Sequence, residues 1–117
     1  MKTLDERIGE AWRLYRASDT LSAIDLFKQI IAEAPDSVDG YYGLGLAQRS
    51  NGDTAGAASS FQQALKLART ALEAYTRQEE ESGHHGNALN SYDDDRMMML
   101  IRMLGQRLVE VGASPLN

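Results

Sequence analysis

Residues 40–65 read GYYGLGLAQRSNGDTAGAASSFQQAL, and the fold is decided in this stretch. Tyr41, Leu44, Gly45 and Ala47 recur at helical spacing and share one face. Asn51-Gly52-Asp53 then interrupts the pattern, with Gly52 placed as a left-handed helix cap. Ala57, Phe61, Ala64, Leu65 and Ala68 resume the helical period on the far side. The reading is two helices joined by a tight turn. Small residues at Gly45 and Ala57 allow close approach of the pair, and Phe61 fills the space against a neighbour.

Working outward, a shift of 34 positions lays this unit over the one before it. Ser18-Asp19 falls on Gly52-Asp53, Ala23 on Ala57, Phe27 on Phe61, Ile30-Ile31 on Ala64-Leu65, and Ala11 on Gly45. The earlier unit reads the same way. Ile8, Ala11, Trp12 and Tyr15 stripe one helix; Ala23, Ile24, Phe27, Ile30 and Ile31 stripe the next. Pro35, which cannot continue a helix, marks the join to the second unit with Asp36 and Ser37.

Tyr41-x2-Leu44-Gly45, Asn51-Gly52-Asp53, Ala57-x3-Phe61 and Ala64 resemble the tetratricopeptide repeat, a 34-residue unit patterned W-x2-L-G-x2-Y, A-x3-F, P. The first unit matches through Ala11, Leu14, Ala23-x3-Phe27 and Pro35. The resemblance spans about residues 4–70 and implies antiparallel helix-turn-helix repeats in a right-handed superhelical stack. Four positions depart from the pattern. Arg7 and Glu10 stand where an aromatic and an apolar residue are expected, Gln48 replaces the second unit's Tyr, and Arg69 its closing Pro. Without that breaker the fourth helix is expected to run on to about residue 81, roughly 40 Å at 1.5 Å per residue.

The expected architecture is therefore a single all-α domain over residues 1–117, of about five helices. Repeat 1 covers about 4–37 and repeat 2 about 38–71, with its last helix extended to about 81. Gly, Asn, Ser and two His make 82–92 a loop. A capping helix over about 93–112 opens on Asp93-Asp94-Asp95, whose carboxylates complement the helix dipole. Met97, Leu100, Ile101, Leu104, Leu108 and Val111 form its apolar stripe. Two repeats alone leave a face open, since about three units are normally needed for stability. The last helix is expected to dock there, and Met98, Met99 and Met103 widen its apolar band toward a second packed face.

Composition narrows the function classes. The net charge is −5, with twelve Lys and Arg scattered among seventeen Asp and Glu. Nucleic-acid binding needs clustered cations, so it is not expected, and a basic partner is mildly favoured. No cysteine is present, which removes disulfides and thiolate chemistry. The opening MKTLDERIGEAW mixes charged and apolar residues, so no signal peptide, anchor or membrane role is expected, and the default location is cytoplasmic.

No catalytic motif is legible. There is no G-x-S-x-G, no P-loop, and no His outside 84–85 to serve as a base, so no enzyme activity and no cofactor are expected. His84-His85 between the runs Glu79–Glu81 and Asp93–Asp95 suggests metal binding only superficially. Adjacent side chains on a loop seldom converge on one ion, and no metal site is assigned.

Function then rests on surface. In the family it resembles, ligands usually bind the concave face made by the first helix of each repeat. Carried over by position, that face shows Ile8, Trp12, Tyr15 and Arg16 from the first unit, and Tyr42, Leu46 and Arg49 from the second. Aromatic and Arg residues are the anchor types enriched at binding hot spots, and they suit an extended or helical peptide carrying an acidic group. The carboxylate clamp of chaperone-adaptor members is not matched: Ile8, Trp12, Gly43 and Glu73 stand at its positions and only Arg77 fits. The expectation is a protein- or peptide-binding adaptor or scaffold. The alternative is a self-associating module, a homodimer through the long fourth helix and the Met-rich last one; occupation of the groove by that last helix also stands open.

Overall fold

The computed structural model describes residues 2–82 and 88–113. These form five helices and no strand: α1 (Leu4–Arg16), α2 (Thr20–Glu33), α3 (Val38–Ser50), α4 (Thr54–Ser82) and α5 (Ala88–Glu110). Each helix packs against the next in the chain, and α1 also touches α3. The all-α stack of antiparallel helix pairs is the architecture read from the repeat.

The 34-residue period is visible in the turns as hydrogen bonds. After α1, the Asp19 N–H donates to Leu14 O at 2.9 Å, around Ser18 at φ 64°. After α3, the Asp53 N–H donates to Gln48 O at 2.9 Å, around Gly52 at φ 82°. In each the chain leaves its helix through a left-handed residue that satisfies the last carbonyls. The starts of α1, α3 and α4 are capped by side chains: Thr3 accepts from the Glu6 N–H at 3.2 Å, Ser37 from Gly40 at 3.0 Å and Asp53 from Gly56 at 2.9 Å.

Two glycines of α3 let the units interlock. A Cβ on Gly43 would collide with the ring of Phe27 on α2, and one on Gly45 would lie 2.5 Å from the ring of Phe61 on α4. Both rings are fully buried, as are Ala11, Ala23 and Ala57 at the closest helix approaches. The departures from the repeat pattern have partners. Buried Ser60 on α4 donates to the Gln48 side chain on α3 at 2.6 Å, so a polar pair replaces the aromatic expected there. Arg7 pairs with Glu33 across α1 and α2, and Glu10 with Lys2.

α4 continues past Arg69 for more than three further turns, and its 29 residues span roughly 43 Å. Ala71, Leu72 and Tyr75 on this continuation are half-buried against the core that α5 completes. α5 begins at Ala88, ahead of the start expected at Asp93. Helix-favouring Ala88 and Leu89 lead it, and Asp93–Asp95 fall inside the helix rather than at its dipole end. Ser82 and 88–92 are therefore helical where a loop was expected, and His84 and His85 lie outside the described residues.

α5 closes the second half of the core. Met97, Leu100, Leu104 and Leu108 are buried in one cluster with Tyr42, Leu46, Phe61 and Leu65. The other cluster holds Ala11, Ala23, Phe27, Ile30, Leu44 and Ala47, and Trp12 and Tyr15 pack against both. Arg96 pairs with Asp39 at 3.0 Å and Glu110 with Arg49 at 2.7 Å. Early residue thus meets early and late meets late, so α5 runs parallel to α3. It also ends as α1 and α3 do: the Ala113 N–H donates to Leu108 O at 2.8 Å around Gly112 at φ 78°. By direction and closure α5 is a third first-type helix, although it lies outside the 34-residue period.

Candidate functional site

Three parallel helices, α1, α3 and α5, bring their inner faces to one side of the stack. α1 contributes the most accessible part: Ile8, Trp12 and Tyr15 are half-buried and Arg16 is exposed. Trp12 is the centre of the aromatic geometry. Its ring meets Tyr15 edge-on at 6.0 Å, Phe27 at 5.3 Å and Tyr42 at 6.1 Å, and Tyr42 in turn lies 6.1 Å from Phe61. Centroid separations of about 4.5–7 Å with crossed planes are the favourable arrangement for such rings. The aromatic row joins the two repeats through the core, with Trp12 and Tyr15 half-buried.

The α3 residues sit deeper. Tyr42 and Leu46 are each 8% exposed, beneath the side chains of α5. They are buried, whereas Ile8, Trp12 and Tyr15 are half-buried and Arg16 is exposed. Arg49 is half-buried at the edge and held by Glu110. Of the seven residues expected at this face, the structure thus groups Trp12, Tyr15, Tyr42 and Leu46 in one packed set and puts Arg49 in an ion-pair network.

That network includes two residues the sequence reading missed, Arg107 and Glu110. Arg107 binds Glu110 through two parallel 2.8 Å hydrogen bonds, and Arg49 reaches the same carboxylate at 2.7 Å. The hydrogen bond from Arg107 holds the Glu110 carboxyl below its ordinary range, against desolvation and with the charges of Arg107 and Arg49 assisting. Reciprocally, the hydrogen bond to Glu110 raises the Arg107 guanidinium, with a further contribution from Tyr42. The (i, i+3) spacing of Arg107 and Glu110 was a visible signal for the pair. Nothing local tied it to Arg49.

Asp5, Glu6 and Asp39 occupy the first turns of α1 and α3, and Arg13, Arg16, Arg49 and Arg107 the last turns of α1, α3 and α5. Each sign complements the helix dipole at its end. Because the three helices are parallel, Asp5, Glu6 and Asp39 lie toward one end of the set and these arginines toward the other, with Arg96 and Glu110 as opposite charges paired at the two ends.

Among the described residues, no group of three or more His, Cys, Asp or Glu could hold a metal ion. No helix among them is long and apolar enough to cross a membrane. In comparison with known proteins, the family model for the tetratricopeptide repeat matches residues 8–71. Searches of curated proteins and of solved structures each returned no match.

Proposed function

From the premise that the chain belongs to the tetratricopeptide repeat family, whose repeats generally mediate protein–protein interaction or scaffolding, we propose that it is a protein-binding module gripping a segment of its partner on the concave side. The accessible grip is Ile8, Trp12, Tyr15 and Arg16 of α1. Tyr42 and Leu46 support it from below, and Arg49 stands at its edge. The observation that carries this reading is the aromatic row on Trp12: large rings held rigidly by core partners yet half open beside an exposed Arg16. Preorganised aromatic and Arg anchors lose little freedom on binding.

Arg16→Glu tests the grip because Arg16 is exposed and lies outside both core clusters. Exchanging its charge should weaken capture of an acidic peptide about tenfold, measured by fluorescence anisotropy, while helicity is kept. Unchanged affinity for every peptide that binds would remove the reading. Trp12→Ala and Tyr42→Ala are poorer tests, because both rings also hold the repeats together.

A second reading is supported by one specific observation. Met98, Met99 and Val109, on the outer side of α5, are 44%, 55% and 64% exposed. Such residues at the open end of a repeat stack suit contact with a second copy of the chain.

A further inference from the structure

The unbroken α4 has a structural consequence beyond carrying α5. Past Arg69, where the repeat pattern closes on Pro, it brings Ala71 and Tyr75 to the starts of α1 and α3. Together these elements border an open pocket of about 350 Å³. Leu4 and Ile8 of α1, Val38 of α3, Ala71 and Tyr75 of α4 and Met97 of α5 supply its apolar walls. A helix stopped at residue 69 would leave out the wall formed by Ala71 and Tyr75.

The polar edge of the cavity is acidic. Asp5, Asp36 and Asp39 meet there, with Arg96 as the one cation among the described lining residues. Arg96 is taken up by Asp39 at 3.0 Å, and among the described residues no ion pair engages the exposed Asp5 and Asp36. Ligand sites run from about 300 to 1,000 Å³, so this cavity has the capacity of a side chain or two and not of a large cofactor. It adjoins the concave side through Ile8, which belongs to both.

We propose that this cavity is a peptide subsite that takes an apolar side chain flanked by lysine or arginine. The apolar residues cover one side of the bound side chain, and Asp5 and Asp36 at the rim pair with the flanking cation. Charge complementarity selects the occupant: an acidic segment would meet like-charged carboxylates at the same rim. The inference deepens the concave-side reading by naming a substrate class for the acidic rim, and it rests on that reading.

The test uses the full chain on an array of twelve-residue peptides in three matched sets. One set carries leucine or phenylalanine next to arginine or lysine; the second replaces the cation by glutamate, and the third replaces the apolar residue by serine. The basic-apolar set should be retained selectively and lost as salt rises. Asp5→Asn with Asp36→Asn should weaken it about five- to tenfold. Ala71→Leu, which fills the cavity from a helix position that accepts Leu, should weaken it by more than tenfold with helicity unchanged. Equal retention of the glutamate set, or retention indifferent to both variants, overturns the subsite. Peptides that respond to Arg16→Glu but to neither cavity variant would overturn the subsite and leave the groove reading standing. No retention of any set overturns both.

Discussion

Ser18 and Gly52 do the same job with different chemistry. Both hold a left-handed backbone 34 residues apart, at φ 64° and 82°. An L-residue pays roughly 1–2 kcal/mol in that region and glycine does not, although glycine loses more freedom on folding. Ser18→Gly is therefore expected to stabilise the chain by about 0.5–1 kcal/mol, and Gly52→Ala to destabilise it by about 1 kcal/mol. Thermal unfolding followed by circular dichroism checks both signs; a lower midpoint for Ser18→Gly would mean the Ser side chain supplies something its backbone does not explain. At this same scale the repeat was largely legible. Gly45, Ala57 and Phe61 announce a close helix pair because only small residues admit it, and the rings of Phe27 and Phe61 fill the sites that Gly43 and Gly45 leave open. Gln48 was legible only as an exception, since its partner Ser60 is identified by position in space and not by pattern.

Among the elements, α5 is the one whose role sequence reasoning left open. Its apolar stripe was plain, but the docking partner is non-local: Leu100 and Leu104 share their cluster with Tyr42 and Leu46, more than fifty residues earlier. A repeat's concave face has the same composition whether it meets solvent, a partner or its own chain, so Tyr42 and Leu46 could not be distinguished from open anchors before the fold was known. Asp93–Asp95 imitated a helix start for the equivalent reason, because a carboxylate run satisfies the dipole rule at any register. The Glu110 network gives α5 a pH signature. A carboxyl held below its ordinary value near 4.5 adds stability above that value and loses it as pH falls through the lowered folded value. Glu110→Gln should accordingly flatten the acid side of the melting-temperature profile at low salt. Parallel profiles for the two proteins would show that Arg49 and Arg107 fasten α5 without help from the carboxylate charge.

Across the whole molecule, the extents are 47 × 39 × 21 Å, a slab with broad faces. The Cα radius of gyration, 15.2 Å, exceeds the about 13.4 Å expected of a compact chain of this length. Much of its surface is therefore available for contact, which makes the oligomeric state informative. With Met97, Leu100, Leu104 and Leu108 committed to the internal core, the described part of α5 offers Met98, Met99 and Val109 for self-association, a small patch interrupted by Arg102 and Gln106. Light scattering is expected to give the mass of one chain up to concentrations of about 100 μM, as befits a patch well below the size of a stable dimer interface. A mass that rises with concentration and falls back in Met98→Glu would instead establish the self-associating module. Trp12 belongs to this scale as well, because its ring touches both core clusters and couples the repeats into one folding unit.

The closure at Gly112 carries a consequence for growth of the array. α5 is released with the same left-handed exit that launches α2 from α1 and α4 from α3. In engineering terms it is a ready splice point: a copy of residues 53–69 joined after Gly112 would set out along the path that a partner helix takes in the first two units. The array could thus be lengthened by fusion alone, each added unit inheriting its exit direction from the helix before it, without recutting the existing core.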